Sequence, residues 1–235
     1  MKKAKHSPRY MSAAKSVSED TLYDIPQAIE LLKQSATAKF PESVDLALRL
    51  GIDPRKSDQN VRGITNLPHG TGKKRRVAVL AKGDLAKAAE DAGADVVGAE
   101  DLITKIQNGF RDFDVILATE EMAPQIGKIG RLLGPRTPNK KNGTITNNVA
   151  QALTEIKGAT RVEYRADKAG IVHMGIGKVS YTDEQLAENL KAAISAIIKA
   201  KPSAAKGKYL VSVTLSSTMG PGIALDPTLA TKFAA

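Results

Sequence analysis

Residues 216–222 (Ser-Ser-Thr-Met-Gly-Pro-Gly) crowd three hydroxyls against two glycines and a thioether. Ser216, Ser217 and Thr218 can donate to phosphate oxygens or ribose 2′-hydroxyls, and Gly220 and Gly222 admit a ligand close to the backbone. The flexible thioether of Met219 suits a sugar or base face. Taken alone, the same stretch reads equally well as an ordinary turn at a strand end. Lys39 and Phe40 pose the same question: the lysine suits a phosphate and the ring suits a ribose, although core packing is the commoner fate of a lone Phe. Between 134 and 144, Arg136, Lys140 and Lys141 stand among Gly, Pro and Asn with no acid. That composition favours a mobile basic loop that reaches phosphates over a merely solvated connection.

Enzyme chemistry finds no foothold. The segment HGTGKK (69–74) hints at a phosphate cradle, but Leu67 stands where the first glycine belongs and Lys74 where Ser or Thr belongs. It also precedes a strand instead of opening a helix, so a basic linker turn is the better reading. GIGK (175–178) is too short for a dinucleotide fingerprint. His6, His69 and His173 are scattered, with no metal-ligand spacing. The pairs Glu100-Asp101 and Glu120-Glu121 precede helices, where the helix dipole favours them. Cys is absent, which removes disulfides, thiolate metal sites and thiol nucleophiles, and fits a reducing cytosol. No catalytic residue, metal or cofactor is expected.

The net charge of +10 points to a polyanionic partner, because each neutralised phosphate releases counterions. No apolar run approaches the roughly 18–20 residues of a membrane span, so no membrane partner is expected. Lys2, Lys3, Lys5, Arg9 and Lys15 come with no acid in the first fifteen residues. They read as a basic arm touching RNA, a plain tail, or loosely a transit peptide.

The elements that must position these residues fall into two patterns. From residue 75 to 158, apolar strands at 75–81, 95–98 and 114–119 alternate with amphipathic helices at 84–94, 100–110, 121–134 and 147–158. This is the signature of an α/β sheet. The flanks read as α+β instead. They offer a helix at 25–36, an alternating strand at 43–52, a hairpin over 161–179 turning at 168–170, and an alternating strand at 209–217. A long helix at 183–201 is capped by Thr182 or Asp183 and stopped by Pro202. The central part looks inserted into the outer one, with junctions near Pro68-His69-Gly70 and Lys157-Gly158. Residues 70–159 hold 14 Lys and Arg against 11 Asp and Glu, or +3, while the remainder hold 21 against 14, or +7. The outer part is therefore the better candidate for the RNA surface.

Longer stretches carry a resemblance. TAKFPESVDLALRLGIDPRKSDQNVRGITNLPHGTGK (37–73), RADKAGIVHMGIGK (165–178), KPSAAKGKYL (201–210) and STMGPGI (217–223) resemble, in order, the bacterial ribosomal protein L-one family of the mobile large-subunit stalk. GADVVGAEDLITKI and DFDVILAT extend the likeness through the middle. The resemblance implies a split α+β domain (1–69 and 159–235) carrying an inserted Rossmann-like three-layer α/β domain (70–158) on a two-stranded hinge. It implies a non-enzymatic, cytoplasmic constituent of the large ribosomal subunit. Such a protein binds the stalk region of large-subunit rRNA, assists release of deacylated tRNA from the exit site, and represses translation by binding its own mRNA. By position, the RNA contacts would be Lys39, Phe40, Glu42, Arg165, Lys168, His173, Ser217, Thr218, Met219 and Gly220. Arg136, Lys140 and Lys141 would form a secondary basic loop. In that loop, family members usually carry Gly-Pro-Arg-Gly-Leu-Met-Pro-Asn-Pro-Lys. This chain has a version two residues shorter and without the apolar pair.

Overall fold

A computed structural model describes the chain apart from residues 1–5, 19–20, 74, 141–142 and 235. Lys2, Lys3, Lys5, Lys74 and Lys141, singled out above, therefore lie outside the described residues. In chain order the elements are α1 (Pro8–Ala14), α2 (Ile25–Ser35), β1 (Ser43–Leu50), β2 (Arg62–Asn66), β3 (Val77–Leu80), α3 (Asp84–Asp91) and β4 (Val96–Gly98). Then come α4 (Glu100–Gln107), β5 (Val115–Ala118), α5 (Ala123–Leu133), α6 (Val149–Lys157), β6 (Arg161–Arg165) and β7 (Ile171–Lys178). The chain closes with α7 (Asp183–Lys199), β8 (Leu210–Ser217), β9 (Gly222–Leu225) and α8 (Pro227–Ala234). This is a mixed α/β protein with several sheets. It divides into two compact units, one taking the described residues up to Gly72 and from Val162 on, the other running Lys73–Arg161.

The first unit is built on a four-stranded sheet ordered β7-β1-β8-β9, antiparallel throughout. Alternation along β1 buries Val44, Leu46, Leu48 and Leu50 against Leu32 of α2 and Leu190, Ile194 and Ile197 of α7. Each such aliphatic side chain contributes about 1.5–3 kcal/mol on burial. Helix α7 starts with a capping box, Thr182 Oγ1 accepting from the Gln185 N–H while the Gln185 side chain accepts from the Thr182 N–H. Thr182 is thus the cap. The opposite face of the sheet keeps its residues at least partly exposed among the described residues. There Asp45, Ala47 and Arg49 of β1 lie in register with Gly175, His173 and Ile171 of β7 and with Ser216, Thr214 and Ser212 of β8, and none of the nine is buried.

The expected hairpin over 161–179 is corrected. Its turn is present, with the Asp167 N–H donating to Ile171 O and Gly170 at φ 75. Only the single bridge Ala166–Val172 joins the two arms, however. β6 pairs with β2 in a separate two-stranded sheet and β7 pairs with β1. Seven register partners along β1 outcompete the local pairing that the turn alone suggested.

In the second unit three parallel strands run in the order β4-β3-β5. All four residues of β3 are buried because both faces are covered. Ala78 and Leu80 pack with Leu102 and Ile106 of α4 and Ile126 and Ile129 of α5. Val77 and Val79 pack with Ala89 of α3 and Leu153 and Ile156 of α6. The continuous apolar run at 75–81 has this double covering as its cause.

Candidate nucleic-acid interface

Glu42, the residue just before β1, is only 3% exposed. Its Oε1 accepts from the Ala38 N–H at 2.9 Å, while Oε2 accepts from Ser217 Oγ at 2.7 Å and from the Met219 N–H at 2.9 Å. Burial pushes the carboxyl up, but the Met219, Ser217 and Ala38 hydrogen bonds outweigh it, with help from the charge of Arg9, and hold the group below its ordinary value. One ionised carboxylate thus ties the 38–42 segment to a turn 175 residues away. Glu42 and Ser217 were expected as RNA contacts. Both are buried and bonded to each other.

Lys39 and Thr218 face solvent, and Phe40 and Met219 each keep 49% of their surface. Thr218 is fixed from both sides by β1: its N–H donates to Ser43 O, and its Oγ1 accepts from the Ser43 N–H at 2.9 Å. Gly220 is held to this turn by its N–H on Ser217 O, and a Cβ there would lie 2.5 Å from Ser217 Oγ. Its missing side chain is therefore used by the turn itself. Lys178 Nζ donates to Ser43 Oγ at 2.8 Å and adds a cation to the rim that the sequence did not single out.

Arg165, Lys168 and His173 are exposed but lie elsewhere, Arg165 at the end of β6 in the two-stranded sheet and the other two along β7 and the turn before it. His173 pairs with Ala47, and Lys168 sits in the turn beside the Leu50 end of β1. Seven residues of extended strand separate that end from Ser43, about 24 Å. Asp167 organises the turn, its Oδ1 accepting the Ala169 and Ile171 N–H groups at 2.8 Å each. The Ile171 hydrogen bond is the chief reason its carboxyl lies below the ordinary value. Its Oδ2 stands 4.0 Å from His173 Nε2. The expected contacts therefore lie apart from one another, with His173 on the open sheet face between the Thr218 turn and Lys168. Ser212 and Thr214 add hydroxyls beside Ser216 on that face, which the alternation of β8 signals.

The 134–144 loop is more tethered than its composition implied. Arg136 Nη1 donates to Phe113 O at 2.7 Å with its guanidinium over the Phe113 ring, and Lys140 pairs with Glu120 at 2.8 Å. Thr137 Oγ1 donates to Gly134 O, and the Asn139 N–H donates to Thr144 Oγ1. Both described cations thus have partners within their own unit. Among the described residues, no group of His, Cys, Asp and Glu could hold a metal, and no helix is long and apolar enough to cross a membrane.

Fold and surface together define a class: a mixed α/β protein that presents an open, hydroxyl-rich sheet face, with cations and two exposed apolar side chains at its edges. A model of the Ribosomal protein L1p/L10e family matches residues 32–221, well over half the sequence, and the chain belongs to that family. It is accordingly a structural, non-enzymatic constituent of the large ribosomal subunit that binds large-subunit rRNA.

Proposed function

We propose that this protein binds the stalk region of large-subunit rRNA through the unit formed by its two ends (1–69 and 159–235). The central part, 70–158, is then an inserted Rossmann-like domain carried on β2 and β6 as a two-stranded hinge. The observation that carries the reading is the Glu42 node. A buried carboxylate with three donors fixes Lys39, Phe40, Thr218, Met219 and Gly220 in one surface. Charge alone would attract any RNA, whereas a preformed turn of this kind selects shape.

In this reading Lys39 meets a phosphate, Phe40 and Met219 pack on ribose or base faces, and the Thr218-Met219-Gly220 turn reads 2′-hydroxyls. Lys168 takes a phosphate of the same RNA about 24 Å along the sheet, with His173 nearer, opposite Ala47, and Arg165 at the end of β6. The protein assists departure of deacylated tRNA from the exit site, and it represses its own mRNA when that message offers the same RNA shape to the same surface. Arg136, Lys140 and Lys141 hold a secondary place, because the two described cations are already engaged.

Filter binding to a stalk rRNA fragment and to a generic RNA duplex tests the division of labour. Thr218→Ala should lower affinity for stalk RNA about tenfold, equivalent to one hydrogen bond of about 1.4 kcal/mol, and leave duplex binding within twofold. Thr218→Ser retains the hydroxyl that bonds Ser43 and should stay near wild type. Equal loss on both RNAs would remove the shape-reading role of the turn.

A further inference from the structure

The helical side of the first unit carries a second surface of opposite character. Helices α2, α7 and α8 cover the buried face of the sheet, so their outer side points away from the open face. Between them runs an apolar groove floored by Pro26, Leu229 and Phe233 and rimmed by Asp24, Asp183 and Glu184. Leu229 and Phe233 are one helical turn apart on α8 and remain 41% and 37% exposed. Apolar side chains of this size left open on adjacent turns signal an interaction surface.

Charge decides what the surface can take. The protein carries +10, yet among the described residues no Lys or Arg lines the groove while three carboxylates do. Lys33 pairs with Asp183 and Lys191 stands 5.8 Å over the Phe233 ring, so Asp24 and Glu184 carry the acidic character of the rim. A nucleic-acid backbone is repelled by such a rim. A segment of polypeptide with apolar residues at three- and four-residue spacing and Lys or Arg elsewhere satisfies both floor and rim, in the helix-in-groove mode. We propose that the groove between α2, α7 and α8 is a docking site for a basic amphipathic helix of a protein partner. The partner binds on the side away from RNA, so both can be held at once.

The proposal does not depend on the Thr218 turn, and its test keeps the two apart. A benzoylphenylalanine photocrosslinker is placed at position 229 of the full chain, with position 211 on β8 as control, and the protein is assembled into large subunits. After irradiation of purified ribosomes the crosslinked peptide is sequenced by mass spectrometry. The expected product is a protein segment of net positive charge with apolar residues at helical spacing, absent from the 211 control. Reversing the rim with Asp24→Lys and Glu184→Lys should reduce its yield at least fivefold while rRNA binding stays within twofold. Should that pair fail to fold, the neutral pair Asp24→Asn and Glu184→Gln should still reduce the yield about twofold. A crosslink to rRNA, to an acidic segment or to a second copy of this chain, a yield unmoved by the rim substitutions, or no crosslink at all overturns the proposal.

Discussion

Glu42 sets the chemistry of the interface without facing it. Its two oxygens serve three donors, so an amide cannot replace it: one end of a glutamine side chain would present an NH2 group to those donors. Glu42→Gln should cost about 1–3 kcal/mol in urea unfolding at pH 7, the penalty of leaving a buried donor unsatisfied. The sign with pH follows from the carboxyl lying below its ordinary 4.5 in the folded protein. Stability from the ionised group is fully present above 4.5 and is lost as pH falls through the lower folded value. The stability gap between wild type and Glu42→Gln should therefore narrow from pH 5 downward. A gap constant to pH 3 would mean that the charge of Glu42 contributes nothing. The family resemblance places Glu42 among the contacts by position alone, which says nothing about depth. A lone acid beside Lys39 and Phe40 has the same spelling whether it faces RNA or a turn 175 residues away.

At the scale of elements, Asn189 holds the most instructive position. It lies on the buried face of α7 at 0% exposure, its Oδ1 accepting from the His69 N–H at 3.0 Å and its Nδ2 donating to Gly70 O and Ile176 O. With Tyr181 Oη donating to His69 O, it clamps the 69–70 segment to the end of β7 and to α7. Asn189→Leu keeps the volume and strands one N–H and two carbonyls, so it should lower stability by about 2–4 kcal/mol, read as a fall in the urea midpoint. Loss below about 0.5 kcal/mol would mean that water repairs the site. The sequence did offer a signal, a polar residue three positions after Leu186 on an otherwise apolar stripe. The long helix was legible from its apolar periodicity and the strand β3 from its unbroken apolar run, both of them local signals. β2, β9 and α8 were not, since neither their alternation nor an unbroken apolar run sets them apart from the segments beside them. The 167–170 turn was legible from Asp and Gly, but the partners of the strands it joins are chosen by distant edges of β1 and β2.

Across the whole molecule, the excess of cations is less informative than which of them are free to act. The basic loop at 134–144 has the denser cluster in sequence, yet Arg136 is bound to the Phe113 carbonyl and ring and Lys140 to Glu120. Lys39, Arg165 and Lys168 are dispersed in sequence but exposed on one unit. Phosphate contacts are counted by salt dependence, because each neutralised phosphate steepens the slope of log affinity against log salt by about 0.7–0.9. Replacing Lys39, Arg165 and Lys168 together by Gln should therefore flatten the slope for stalk RNA by about 2–3. Replacing Arg136 and Lys140 by Gln removes two charges of the same sign and should leave the slope within about 0.5, since those cations neutralise the protein's own groups. Titrations between about 50 and 400 mM salt separate the two cases. If both variants flattened the slope in proportion to the charge removed, net charge would govern binding, and the placement of cations about the sheet would have no bearing on it.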